Sequence, residues 1–344
     1  MEEPKRKIAP KYLPIIEADK NKLSKETITF MDVTTSNNYL LLLSSNNTIF
    51  LCQLDENSLK IEKGFKNIII NSKSNIKSCY FCNGSRDSIL LLCDDYNIYE
   101  FSVNREYISH IFYNVLGDSY IFKMNCKKNS KPENGIKNFS ILKKREINVW
   151  NTLEYNKSNV LCVSDIECFS YDCTGFAMYI LGKYYQKNCY YLSVIKFINE
   201  YEWKEIYFKV LNFIELKIID ITYFDIFDNN IIMCDKEYQK IYILKNYPMN
   251  KFDFIFPLSN TNRVPLLFLP FIGEDKLFQF GILYINFNEK KKNILNVCYK
   301  YNKCNTIEVD IKINKAYYYK ENTNEKSLLF VFDDIKKELI TYLI

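Results

Sequence analysis

Histidine is almost missing from this chain, which has a single one, His110, in 344 residues. Most nucleophilic triads, zinc hydrolase sites and proton relays depend on histidine. The sequence also has no Walker phosphate loop and no G-x-G-x-x-G segment. We therefore predict that the chain is not an enzyme, has no cofactor and no metal ion, and acts on no small-molecule substrate.

Long hydrophobic runs are missing as well. A transmembrane helix needs about 18 consecutive apolar residues, and the longest strongly apolar stretch, Val264 to Ile272, contains two prolines. The charged start, Met1 to Lys7, does not resemble a signal peptide. These absences predict no membrane insertion and a reducing compartment, the cytoplasm or the nucleus.

Cysteine, by contrast, is plentiful, with 12 residues that mostly lie inside apolar stretches. Cys79 and Cys82 have the CxxC spacing of a zinc half-site, but no second CxxC pair exists to complete it. In a predicted strand the two sulfurs would also point to opposite faces. We interpret the cysteines as free, buried, small apolar side chains.

Glycine and proline number only 8 each, although the chain needs many turns. Asn and Asp tolerate left-handed backbone and hydrogen-bond their own main chain, so pairs such as Asn46-Asn47 are predicted to form turns in their place. The adjacent carboxylates Asp94-Asp95 and Asp333-Asp334 end apolar runs at matching positions, which also favours turns over a catalytic pair.

Short apolar and aromatic runs, bounded by polar turns, recur along the chain in groups of three. The second run of each group begins near residues 39, 88, 139, 176, 229, 276 and 327, a mean step of about 48 residues. Runs such as Leu40 to Leu43 and Leu328 to Phe332 are apolar without alternation, which is typical of strands covered on both faces. The period predicts an all-β ring of small sheets.

Two segments resemble the WD-repeat β-propeller family. Ile147 to Thr152 resembles the ending of that family's third strand, with Asn151 in place of the usual Asp, and Phe169 to Gly175 is similar to its first turn. The Gly-His pair that opens a standard repeat is absent, so its hydrogen-bond network is not carried over. The resemblance implies a seven-bladed β-propeller of four-stranded antiparallel blades, with residues 27–344 as a single propeller.

The last group of runs ends with the sequence and leaves its outermost strand position empty. Residues 1–26 form a polar N-terminal segment with one apolar island, Tyr12 to Ile16. Because a ring must cover its open edges, we predict that residues 12–16 complete the last blade.

A propeller of this family implies a non-catalytic scaffold or adaptor subunit that binds other protein subunits of a larger complex. The alternative is an RNA-facing subunit of an RNA-processing or RNA-modifying complex, because basic residues flank a polar insertion in the third repeat and can contact phosphates. The net charge of +5 by itself does not indicate a nucleic-acid partner. The candidate partner-binding residues are Lys127, Lys128, Lys143, Lys144 and Arg145.

Overall fold

The computed structural model contains strands in every part of the chain that it describes. The described residues are 10–13, 21–33, 39–54, 66–70, 74–82, 88–125, 138–143, 146–151, 157–160, 166–171, 177–184, 189–197, 203–211, 221–227, 230–235, 240–244, 254–257, 263–272, 278–286, 293–299, 303–309, 317–321, 327–333 and 336–343. The strands in chain order are β1 (Pro10–Leu13), β2 (Ile28–Val33), β3 (Tyr39–Ser44), β4 (Thr48–Gln53), β5 (Lys66–Ile69), β6 (Ile76–Phe81), β7 (Ser88–Cys93), β8 (Ile98–Ser102), β9 (Tyr107–Phe112), β10 (Ile121–Asn125), β11 (Asn138–Lys143), β12 (Glu146–Asn151), β13 (Lys157–Val160), β14 (Ile166–Tyr171), β15 (Ala177–Tyr184), β16 (Cys189–Phe197), β17 (Trp203–Leu211), β18 (Ile221–Phe227), β19 (Asn230–Asp235), β20 (Lys240–Leu244), β21 (Phe254–Pro257), β22 (Arg263–Ile272), β23 (Phe278–Asn286), β24 (Asn293–Tyr299), β25 (Lys303–Val309), β26 (Tyr317–Glu321), β27 (Ser327–Asp333) and β28 (Glu338–Leu343).

Within the described ranges these strands form seven four-stranded antiparallel sheets, which confirms the predicted all-β architecture. Six sheets use four consecutive strands, beginning at β2, β6, β10, β14, β18 and β22, and the seventh combines β26 to β28 with β1. The first three strands of each sheet are those expected from the apolar runs. The sequence of residues 196–209 weakly resembles a helical pattern. In the structure, residues 196–197 end β16 and residues 203–209 belong to β17.

The N-terminal strand β1 pairs antiparallel with β28, so that Tyr12 lies opposite Ile340 and Leu13 opposite Leu339. It begins at Pro10, two residues before the predicted closing segment, and residues 14–16 lie outside the described residues. The last sheet therefore takes its outermost strand from the start of the chain.

The sheets belong to two compact units. Residues 1–114 and 261–344 form one unit, and residues 115–260 form the other. In the first unit β2 contacts β6 and β26, and in the second β14 contacts β10 and β18. Within each unit, neighbouring sheets therefore meet through their first strands.

Both faces of the first sheet are covered, which explains the unbroken apolar run in β3. Leu40 and Leu42 pack with Phe330 of the seventh sheet, whereas Leu41 and Leu43 pack with the second sheet. All four leucines are fully buried, and burying each side chain contributes roughly 1.5–3 kcal/mol. The interpretation of this run as a strand covered on both faces is confirmed.

The fourth sheet repeats this arrangement in the second unit. Met178 and Ile180 of β15 pack with the third sheet, and Tyr179 and Leu181 pack with the fifth. Alternate residues of one strand thus serve two different cores, because successive side chains point to opposite faces of a sheet.

A β-bulge recurs near the start of the first strand in five sheets. The register skips one residue after Ile28, Ile76, Ile166, Ile221 and Pro265. Four of these bulges follow an isoleucine and skip a polar residue. Because a bulge bends a strand and increases its twist, the same local distortion is built into successive repeats.

Helix is scarce in the described ranges, where residues 21–23 form one short turn of helix with Leu23 fully buried. No helix among the described residues is long and apolar enough to cross a membrane.

Candidate functional site

The tightest polar network in the first unit lies where the β7–β8 turn meets the chain that enters β6. Asp94 and Asp95 occupy this turn, as predicted, and Tyr96 completes it with a φ of 66°. Asn47 holds the matching position in the β3–β4 turn, with a φ of 58°. Left-handed backbone is unusual for residues other than glycine; Asn47 is the kind of residue expected there, and Tyr96 is not.

Asp94 is bound to Asn75 by three hydrogen bonds. Its two carboxylate oxygens accept from the backbone N–H and the side-chain amide of Asn75, each at 3.0 Å. Its own backbone N–H donates to the Asn75 carbonyl, also at 3.0 Å. These bonds hold the β7–β8 turn against the segment that leads into β6.

Asp95 is the centre of a second cluster. Its carboxylate accepts hydrogen bonds from the Ser74 hydroxyl at 2.7 Å, the Asn97 backbone N–H at 3.1 Å and the Tyr99 hydroxyl. Burial alone would raise the pKa of the Asp95 carboxyl, but these hydrogen bonds together hold that pKa below its usual value. Burial and the hydrogen bond to Asp95 raise the pKa of the Tyr99 hydroxyl.

Asn47 connects the first sheet to the same segment. Its side-chain amide donates to the Ser74 carbonyl at 3.2 Å, and its amide oxygen accepts from the Ile76 N–H at 2.9 Å. Its backbone carbonyl accepts from the Ile70 N–H at 3.2 Å. The turns of two neighbouring sheets are therefore held together by hydrogen bonds through residues 74–76.

Three large apolar or aromatic side chains are exposed around this network. Ile69 is 70% exposed, Tyr113 69% and Tyr96 41%. The Asn114 N–H donates to the Asn97 side chain at 2.9 Å, which places Tyr113 beside the β7–β8 turn. We call residues 45–47, 69–70, 74–76, 94–97 and 113–114 the network surface. It combines exposed side chains with a backbone that hydrogen bonds hold in place.

Of the five predicted partner-binding residues, the structure describes only Lys143, and the other four lie outside the described residues. Lys143 is half-buried, and its ammonium donates to the Leu116 carbonyl at 2.8 Å. In the sequence, Lys127 and Lys128 lie between β10 and β11, and Lys144 and Arg145 directly follow β11.

A smaller polar cluster joins the first strands of the second unit. Ser170 of β14 donates to Oδ1 of Asp225 in β18 at 2.5 Å, and the Lys123 ammonium lies 4.0 Å from the same oxygen. In the first unit Asp32 of β2 accepts from the Phe81 N–H at 2.8 Å. Asp32 and Asp225 are each the fifth residue of their strand. Each carboxylate accepts a hydrogen bond from a neighbouring sheet.

Cys79 and Cys82 are buried and form no disulfide, and the same holds for Cys52, Cys93 and Cys168. Burial, with smaller contributions from Asp32 and Cys93, raises the pKa of the Cys79 thiol well above its usual value. Burial, together with Asp95 and Asp94, raises the pKa of Cys93 to about 12. Such thiols are poor nucleophiles and metal ligands at neutral pH. The described residues contain no group of three or more His, Cys, Asp or Glu side chains placed to hold a metal ion.

The fold is shared with solved structures. The β-propeller domain of Cps50 (Swd1) from Myceliophteria thermophila is similar to this chain with a TM-score of 0.59 and 10% identity, covering 98% of this chain and 100% of the other. The chain folds as a β-propeller. A chain of the mitotic checkpoint complex is similar with a TM-score of 0.58 and 7% identity, covering 100% of this propeller and 95% of its own length. No family model and no curated protein matches the sequence.

Proposed function

We propose that this propeller is a non-catalytic scaffold subunit that binds a protein partner on the network surface of its first two blades. The observation that carries the proposal is the exposure of Tyr113, Tyr96 and Ile69 around hydrogen-bonded turns. Exposed aromatic residues are enriched among the hot spots of protein interfaces. A preformed backbone also lowers the entropy cost of binding.

Two further observations support a scaffold. One of the similar chains belongs to an assembly, the mitotic checkpoint complex. The carboxylates of the network are bonded within the turns, because Asp95 accepts three hydrogen bonds and Asp94 accepts two from Asn75. These carboxylates stabilise turns, and the exposed rings beside them are suited to binding.

We also propose that the propeller is a diverged relative of the WD-repeat family, with residues 27–344 forming one ring that β1 closes. The pairing of β1 with β28 supports closure. The family-like strand ending lies in β12, where Trp150 stacks on Phe139 with ring centroids 6.3 Å apart and Lys157 lies 5.9 Å from the Trp150 ring. Aromatic packing therefore stabilises β12, the strand that contains the family-like ending.

The RNA-facing alternative has no observation in its favour among the described residues. Lys143 is the one described residue of the five predicted partner-binding residues, and its ammonium donates a hydrogen bond to the Leu116 carbonyl. We therefore retain protein as the partner.

The test is to purify the tagged protein from its own cells as wild type and as Tyr113→Ala and Tyr107→Ala variants. Tyr107 is the matched control because it is also exposed, at 46%, but begins β9, whereas Tyr113 follows its end. Losing a hot-spot tyrosine weakens binding about tenfold or more. We expect a stoichiometric protein partner with wild type and Tyr107→Ala that is depleted with Tyr113→Ala. An identical set of partners for all three proteins would overturn the proposal.

A further inference from the structure

The network surface is acidic, although the whole chain is basic. Its described residues include Asp94 and Asp95 but no Lys or Arg. The surrounding stretches 39–54 and 88–114 contain one basic residue, Arg105, although the chain has 46 Lys and Arg residues and a net charge of +5. The adjoining described segments 66–70 and 74–82 contain Lys66, which pairs with Glu106, and Lys77. Among the described residues, positive charge is therefore sparse around Asp94 and Asp95 in a sequence rich in lysine.

Asp94 has acceptor capacity beyond the hydrogen bonds that the described residues give it. It is exposed, and its two bonds from Asn75 use one lone pair on each carboxylate oxygen. An ionised carboxylate offers about four acceptor sites. Asp95 adds a second negative charge, because its pKa is held below the usual value and it is ionised at neutral pH.

The exposed tyrosines suit the same kind of ligand. An ammonium or guanidinium group over a tyrosine ring gains roughly 0.5–1 kcal/mol at an exposed site. Tyr96 follows Asp94 and Asp95 in the sequence. Tyr113 lies beside the same turn, because the Asn114 N–H donates to the Asn97 side chain. A cationic side chain can therefore contact a ring and a carboxylate together.

From this combination we propose that the partner segment bound at the network surface is a peptide rich in Lys or Arg. The inference rests on the proposed function and adds the chemistry of the partner. A nucleic acid does not fit, because its phosphates would face the two carboxylates, and the described residues beside them form no cluster of cations. An acidic peptide is excluded by the same repulsion.

The probes are two fluorescein-labelled peptide pools with the same randomised neutral positions. One pool has fixed Lys and Arg residues, and the other has Glu at those places. Fluorescence anisotropy at low and at physiological salt measures binding to the full chain. We expect the basic pool to bind, the acidic pool not to bind, and salt to weaken the binding.

Four variants test where the peptide binds and whether negative charge on the protein favours the binding. Asp94→Asn should weaken it several-fold, and Tyr113→Ala about tenfold. Lys77→Gln removes the adjoining positive charge and should tighten it. Glu106→Gln is the control, since this exposed carboxylate lies near the start of β9, where it pairs with Lys66 at 2.6 Å; it should change nothing. Asn at position 94 can still pair with Asn75 by an amide flip, so the turn is retained.

Three results would overturn the inference. Equal binding of both pools that is lost in Tyr113→Ala would refute the charge while leaving the docking surface in place. Binding of the basic pool that ignores Asp94→Asn and Tyr113→Ala would locate the cation site elsewhere. A failure of both pools to bind would refute the basic partner, and partner capture with Tyr113→Ala would still decide the proposed function separately.

Discussion

The packing account makes its strongest prediction at Gly182, in β15. A Cβ atom added there would lie 2.1 Å from Cζ of Tyr191, the residue directly opposite in β16. Ordinary contact begins at about 3.4 Å, so the ring would have to move by more than 1 Å. Because Tyr191 is fully buried, its ring cannot move without losing packing contacts with its neighbours.

The size of the effect follows from these contacts. Overpacking a core costs roughly 1–3 kcal/mol, and displacing a ring that buries about 150–250 Å² costs several more. We expect Gly182→Ala to lower the free energy of unfolding by about 3–5 kcal/mol. An unfolding entropy of about 2.1 cal/mol/K per residue, taken over 344 residues, converts this into a Tm lower by about 4–7 °C.

Differential scanning calorimetry and urea titration would measure the loss. The control is Gly117→Ala, where the new Cβ would lie 3.1 Å from Cε of the flexible Lys143 side chain, and we expect a change below about 0.5 kcal/mol. In a Tyr191→Ala background, Gly182→Ala should cost little, because the clashing ring is gone. If Gly182→Ala is as mild as Gly117→Ala, the close packing of β15 against β16 is refuted.

Four further outcomes are expected. Deleting residues 1–20 removes β1 from its pairing with β28, so Tm should fall sharply in calorimetry; an unchanged Tm would contradict closure by this strand. Because the pKa of Asp95 is lowered in the fold, its contribution to stability is present above the unfolded value of about 3.9 and is lost as pH falls through the folded pKa. Urea midpoints measured across this range should fall less for Asp95→Asn than for wild type. Iodoacetamide at mildly alkaline pH should leave Cys79 and Cys93 unlabelled in the native protein and label both in urea, as read by mass spectrometry; native labelling would contradict their burial. Tyr96→Gly relieves a left-handed tyrosine, which should raise stability by up to about 1 kcal/mol while weakening partner binding; a less stable variant would argue against strain at this turn.

Much of the fold could be predicted because central strands such as β3 and β15 are buried on both faces. The run Leu40 to Leu43 is apolar at every position, and the structure divides those leucines between two cores. Such a run in a short segment bounded by polar turns favours a strand, and its recurrence favours stacked sheets.

The fourth strands were harder to locate individually. Lys66–Ile69 and Lys157–Val160 are short and mix charged with apolar residues, because an outermost strand is less covered. The repeated first-strand bulge could not be predicted either, although Ile28 to Asp32 and Ile221 to Asp225 share the sequence pattern Ile-Thr-aromatic-apolar-Asp. A bulge is a shift in strand register, and the periodicity of apolar residues alone does not show where the register shifts.

The network surface was visible only in part. The adjacent carboxylates Asp94 and Asp95 were correctly interpreted as turn residues, but nothing local shows that Asn75 and Ser74 bind them. Tyr113 looks in sequence like any other strand aromatic, and its exposure depends on where β9 ends. Exposure is a tertiary property, so the sequence pattern does not single out Tyr96 and Tyr113. The basic residues around the third repeat stay a prediction.

Hydrogen–deuterium exchange of the propeller, free and bound to its captured partner, tests the central claim most directly. Binding on the network surface predicts slower exchange at the amides of residues 93–97 and 113–114 in the complex. Residues 103–107, near the start of β9, should exchange at the same rate in both states. Protection confined to residues 103–107, or to blades outside the first two, would contradict the account.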